Sequence, residues 1–159
     1  MKDEKMNVQH STFNAERPRV EECRPTGNPA KARAGIGMPA TLYLQQFGDV
    51  LFHVFGEYAY HVGSSLTKPT WRDVDVRVML DREQYESMGF GDPKKPFYNE
   101  RWFAYIMAFS ELGRKMTGLP IDFQIQETDT ANADYAGDEH CRSCLILHAV
   151  RRSKKKDEG

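Results

Sequence analysis

The sequence predicts an α/β fold of the α+β kind, a small mixed β-sheet with helices packed on one face. Three observations predict it. Segments 74–80 and 119–126 alternate apolar and polar residues with the two-residue period of a half-buried strand. Segments 41–55 and 99–116 repeat apolar residues at helical spacing. The elements run helix, strand, strand, helix, strand and a candidate last strand, an order that a sheet covered by helices accommodates.

At 159 residues the chain suffices for one domain with a real core and falls short of two ordinary ones. A hydrophobic content of 40% with a formal net charge of -1 describes a water-soluble chain without a global pull towards nucleic acid or membrane. Any bound polyanion must therefore be held by a local basic patch or through metal. The opening residues MKDEKMNVQH lack the apolar stretch of a secretory signal, and no apolar run reaches membrane-spanning length. Cys23, Cys141 and Cys144 form no even disulfide framework, so a reducing cytoplasm is the expected compartment.

Residues 1–38 are polar, rich in Pro, Gly, Arg and Glu, and read as a flexible arm ahead of a domain over 39–150. Gly35 and Gly37 follow no strand and complete no dinucleotide fingerprint. The first helix carries Leu44, Phe47, Val50, Leu51, Val54 and Phe55, with Thr41 as its expected N-cap and Gly56 as its stop. The short strand YAYHV runs into Gly63. In the strand over 74–80, Val74, Val76, Val78 and Leu80 share one face, and Asp75, Arg77 and Met79 the other. A long polar loop over 81–98, with room for a helical turn, precedes the second helix, whose stripe is Trp102, Tyr105, Ile106, Phe109, Leu112 and Met116, ended by Gly118. In LPIDFQIQ, Ile121, Phe123 and Ile125 point inward, opposite Asp122, Gln124 and Gln126. An acidic, turn-rich stretch leads to a last strand within 142–150, and residues 151–159 form a charged tail.

The carboxylates concentrate the chemistry. Residues two apart on a strand share a face, so Asp73 and Asp75 point the same way, roughly 7 Å apart. If the strand of Asp122 lies alongside, at about 4.8 Å, three carboxylates meet on one patch. Three like charges so close raise one another's pKa unless cations intervene. Two Mg²⁺ (or Mn²⁺) ions about 3.5 to 4 Å apart would clamp the attacking and leaving oxygens of a phosphoryl displacement. The Gly-Ser-Ser turn at Gly63, Ser64 and Ser65 supplies the complement. Glycine lets backbone approach a phosphate, hydroxyls and amides donate to it, and a helix starting there would add its dipole.

Together, GSS at 63–65, DVDV at 73–76 and IDF at 121–123 resemble the signature of the DNA polymerase β-like nucleotidyltransferase superfamily, over residues 40–127. The resemblance implies a minimal, single-domain, metal-dependent enzyme. It would move a nucleoside monophosphate from a nucleoside triphosphate, ATP included, to a hydroxyl on RNA, protein or a small molecule, releasing pyrophosphate. It implies triphosphate binding at Gly63 and Ser64, with Ser65 beside them, metal binding at Asp73 and Asp75, and a base-side ligand role for Asp122. Small antitoxin-type members carry Ala-Arg-Gly after the turn where this chain has LTKPTWR, which leaves the acceptor open. The alternatives are a non-catalytic nucleotide-binding or toxin–antitoxin partner protein, or a phosphohydrolase or pyrophosphokinase using the same carboxylates.

Arg77 shares the acidic face, where ion pairing and a phosphate contact are both open. Lys68 and Arg72 are within loop reach of a triphosphate but read first as solvated loop charge, and Gln124 and Gln126 share the face of Asp122, where such glutamines ordinarily line a half-exposed sheet. His140, Cys141, Cys144 and His148 fit no standard zinc spacing and read as an ordinary strand. The aromatic stripe of the second helix reads as core. KKP at 94–96 reads as a solvated insertion or, less simply, a lid.

Overall fold

The computed structural model describes residues 35–135 and 142–146. Most of the expected arm and all of the expected charged tail lie outside them.

Helix α1 (Ala40–Phe55) buries Leu44, Phe47, Gly48, Leu51 and Phe55. Val54, expected on this stripe, is 51% exposed, because a helix turns it about 100° away from Phe55. The expected cap at Thr41 is also corrected. The helix begins at Ala40, and the Thr41 hydroxyl donates back to the Ile36 carbonyl (2.6 Å). Gly56 closes the helix in the left-handed conformation, its N–H on the Phe52 carbonyl.

Strand β1 (Ala59–Val62) leads directly into α2 (Ser64–Thr67), and β2 (Val74–Leu80) returns antiparallel to β1. The stretch expected to be a long polar loop with room for one helical turn holds α3 (Arg82–Ser87) and a 3₁₀ turn (Pro96–Tyr98). Asp81 caps α3 by accepting the Gln84 N–H (2.7 Å), and Tyr85 turns inward against Phe90. Helix α4 (Glu100–Thr117) starts where Asn99 accepts the Trp102 N–H (2.9 Å) and stops at Gly118. Leu112 lies off its buried stripe at 37% exposure, while Gly113 lets α4 approach the Phe47 ring.

Strand β3 (Ile121–Glu127) runs parallel to β2 and passes straight into α5 (Thr128–Asp134), where the sequence reads only as turns. Glu127 nucleates that helix. Its carboxyl accepts the N–H groups of Asp129 (3.1 Å) and Thr130 (2.9 Å) and the Thr130 hydroxyl (2.6 Å). Burial pushes this carboxyl up, but those hydrogen bonds outweigh it and hold the group below the ordinary carboxylate value. Of the expected last strand, β4 (Ser143–Cys144) pairs antiparallel with β1, and residues 147–150 lie outside the described ones.

The sheet order is β3-β2-β1-β4, a mixed sheet as expected. Helices α1 and α4 cover the face carrying Val74, Val76, Val78, Ile121, Phe123 and Ile125. Phe123 centres that core, its ring 5.5 Å from Phe109, 6.0 Å from Phe55 and 6.4 Å from Phe47. Two side chains of α4 also seal the outer edge of β3. The Ser110 hydroxyl accepts the Phe123 N–H (3.1 Å), and the Trp102 indole donates to the Ile125 carbonyl (2.8 Å). An edge so covered offers little for another strand to pair with.

Candidate functional site

The β2–β3 register sets Asp75 directly opposite Asp122. Alternation places both on the face turned away from α1 and α4. Asp75 is also the antiparallel partner of Val62, the last residue of β1, so the Gly63 turn necessarily arrives at the carboxylates. Asp73 sits just before β2 at the same end of the sheet. The three aspartates and the turn thus share one corner of the molecule.

Arg77 lies among them and pairs. Its Nη2 donates to Asp75 Oδ1 (2.8 Å) and Asp122 Oδ2 (3.1 Å), while Nη1 donates to the Asp122 carbonyl (2.7 Å). Its side chain is only 12% exposed, so these are charge-assisted bonds in a partly desolvated setting. Burial raises the Asp75 carboxyl above its ordinary value, Arg77 pulls it back, and the charges of Asp122 and Asp73 push it up again. Asp73 pairs instead with Arg72 (2.9 Å), whose side chain stands in water. Such an exposed pair holds it only weakly.

Gly63 is required by its surroundings. Its φ is +76°, and a Cβ there would overlap the Asp75 carboxylate. Ser64 follows on the cavity wall. Ser65 is not brought there, for it is fully buried, its hydroxyl 2.8 Å from His61 Nε2. His61 is buried on the core face, opposite Val76, and burial pulls its pKa down to about 4. The imidazole is therefore neutral at physiological pH and binds α2 to β1 through Ser65. Helix α2 has only four residues, so the dipole expected at its start amounts to little more than the local amides.

A cavity of about 330 Å³ opens beside Asp75, along the polar face of the sheet; Asp73 and Asp122 do not line it. At one end stand Gly63, Ser64, Lys68, Asp75 and Arg77, at the other Met79, Gln126, Tyr135 and Arg142. Lys68 and Gln126 line it, whereas the Gln124 amide turns to Asp122 (3.4 Å). Arg142 belongs to no motif and is placed by hydrogen bonds that it donates to Asn132 and Ala131 of α5, so nothing in the local sequence marks it. His61 likewise reads as an ordinary strand residue until the fold sets Ser65 against it.

The donor set suits Mg²⁺ or Mn²⁺, since carboxylate oxygens are their preferred ligands and Asp75 gains from any nearby cation. In the present arrangement Arg77 supplies that cation. Among the described residues no group of three or more His, Cys, Asp or Glu side chains is set to hold a metal ion. Cys144 is a free thiol whose pKa burial pushes up to about 11, a poor zinc ligand, and His140, Cys141 and His148 lie outside the described residues. The KKP segment does not line the cavity; Phe97 beside it packs on Trp102 at the start of α4. Compared with protein-family models, curated proteins and solved structures, the chain matches none.

Proposed function

We propose that the chain is a metal-dependent nucleotidyltransferase, moving a nucleoside monophosphate from a nucleoside triphosphate to a hydroxyl acceptor with release of pyrophosphate. The observation that supports this reading best is the register of Asp75 with Asp122, beside a cavity that also receives the Gly63 turn, Lys68 and Arg77. Gly63 and Ser64 present backbone and hydroxyl donors to the triphosphate, and Lys68 adds charge. Asp73, Asp75 and Asp122 would hold Mg²⁺ or Mn²⁺, which when bound neutralises charge on the reacting phosphoryl group. Arg77 then exchanges a carboxylate for a phosphate oxygen, a contact its planar fork suits equally well. Asp122, the most open of the bridged pair at 40% side-chain exposure, takes the proton of the attacking hydroxyl. Ser65 keeps a structural role through His61. A reducing compartment such as the cytoplasm goes with this reading. Among the described residues no helix is long and apolar enough to cross a membrane.

One observation favours a second reading. Because Arg77 already satisfies Asp75 and Asp122, a protein that binds nucleotide or a partner without turnover needs no rearrangement. The two readings separate on one experiment. The protein is incubated with each α-labelled nucleoside triphosphate, Mg²⁺ or Mn²⁺, and acceptor pools of RNA, protein and small hydroxyl compounds. Label transfer with pyrophosphate release, lost in Asp75→Asn, supports the enzyme. Tight, metal-independent nucleotide binding with no pyrophosphate from any acceptor leaves the binding protein.

A further inference from the structure

We propose that the cavity selects guanine nucleotides, with Arg142 reading the base. The inference rests on the nucleotide reading of the same cavity and adds to it the identity of the base.

The cavity has two chemically distinct ends. Lys68, Arg77 and the Gly63 turn form the end suited to phosphates. Met79 lies four residues further along β2 than Asp75, about 13 Å at strand rise, a separation comparable with the reach of a nucleotide from phosphate to base edge. The far end is lined by Met79, Gln126, Tyr135 and Arg142. A polarisable thioether and an aromatic ring offer surface for a flat ring, with polar groups at its margin.

Arg142 is held before any ligand arrives. Its Nη1 donates to Asn132 Oδ1 (2.9 Å) and Met79 Sδ (3.3 Å), and its Nη2 to the Ala131 carbonyl (3.4 Å). Those contacts engage Nη1 twice and Nη2 once. Among the described residues Nε donates to none and Nη2 to one, and the five N–H groups of a guanidinium lie in one plane as a fixed fork, so the Nε–Nη2 edge has donors to spare. A fork of two donors calls for two adjacent acceptors. Guanine offers them as O6 and N7. Adenine sets its N6 amino group beside N7, and that donor would meet a guanidinium donor. A pre-positioned arginine loses little freedom on binding, so the discrimination is not offset by ordering the side chain.

Equilibrium binding of GTP, ATP and 7-deaza-GTP to the full chain, in Mg²⁺, tests this. GTP is expected to bind about tenfold more tightly than ATP, equivalent to the ~1.4 kcal/mol of one bidentate pair. Replacing N7 by carbon in 7-deaza-GTP should remove most of that advantage, a ligand-side test that needs no variant to fold. Arg142→Lys keeps the charge but not the fork, so it should flatten the GTP-to-ATP ratio while ATP affinity stays close to that of the parent. Equal binding of GTP and ATP by the parent chain overturns the proposal, as does an Arg142→Lys variant that weakens every nucleotide equally, since Arg142 would then be a phosphate contact. Nucleotide binding without base preference sinks this inference alone; no nucleotide binding at all sinks the proposed function with it.

Discussion

Strands β2 and β3 present two faces built from alternate residues of the same segments. On one, Val74, Val76, Val78, Ile121, Phe123 and Ile125 are at most 4% exposed and lie under α1 and α4. On the other, Asp75 and Asp122 keep 20% and 40% of their side chains in solvent and are tied together by Arg77. The core face is held by non-directional burial, which tolerates changes of shape better than losses of volume. The polar face is held by a few charge-assisted bonds, so loss of one partner leaves charge unpaired rather than a void. The domain therefore draws most of its stability from one face and gathers its charged groups on the other, a separation that substitutions at neighbouring positions can test.

The largest effect is expected on the core face. Phe123→Ala removes the ring that packs against Phe47, Phe55 and Phe109, and should cost about 3–5 kcal/mol in denaturant unfolding. A loss below about 1 kcal/mol would show that the core collapses around the gap.

The second concerns His61, a titratable residue that β1 adds to the same core face. Burial holds the folded pKa of His61 at about 4, below the unfolded value of 6.5, so the unfolded chain binds more protons between the two. Stability should therefore fall as pH drops from about 6.5 through about 4, by on the order of 3 kcal/mol in total. His61→Gln can keep a partner for Ser65 without the titration, so unfolding measured across that window should show a flatter slope. An unchanged slope would assign the acid sensitivity to other groups.

Asp122→Asn, one residue from Phe123, tests the opposite face. Stability should stay within about 1 kcal/mol of the parent, since the amide oxygen can still accept from Arg77. On the proposed function the transfer rate should fall by about a hundredfold or more while nucleotide affinity changes little. Parent-like turnover would remove Asp122 from the chemistry.

The smallest effect sharpens the boundary between the faces. Glu127 takes the last core-facing position of β3, 4% exposed, yet is a carboxylate because it caps α5. Glu127→Ala should cost about 1 kcal/mol, the usual loss for a helix cap. By thermal unfolding, a change several times larger would mean that α5 holds the sheet itself.

Alternation made the two strands legible from Val74 and Ile121 onwards, because a period of two has a single structural reading when one face is buried. The stop glycines Gly56 and Gly118 were legible for a similarly local reason, as φ values of +74° and +70° favour glycine. Helix α5 was not legible. Its cap is a glutamate rather than the usual Ser, Thr, Asp or Asn, and its residues, TDTANAD, carry no apolar stripe.

By itself, then, the sequence determined the period of α1, α4, β2 and β3, the inward face of those two strands and the outward placement of Asp75 and Asp122. These follow from backbone geometry within a few residues. Only the tertiary structure decided that β2 and β3 are parallel neighbours in a register that sets Asp75 against Asp122, that Arg77 spans the pair, that Ser65 turns away to His61, and that Arg142 reaches the cavity 67 residues after Asp75 (142 − 75). Each of these depends on which segments pack together, and packing is chosen by the burial of the whole apolar face, a sum over distant residues that no short stretch of the chain contains.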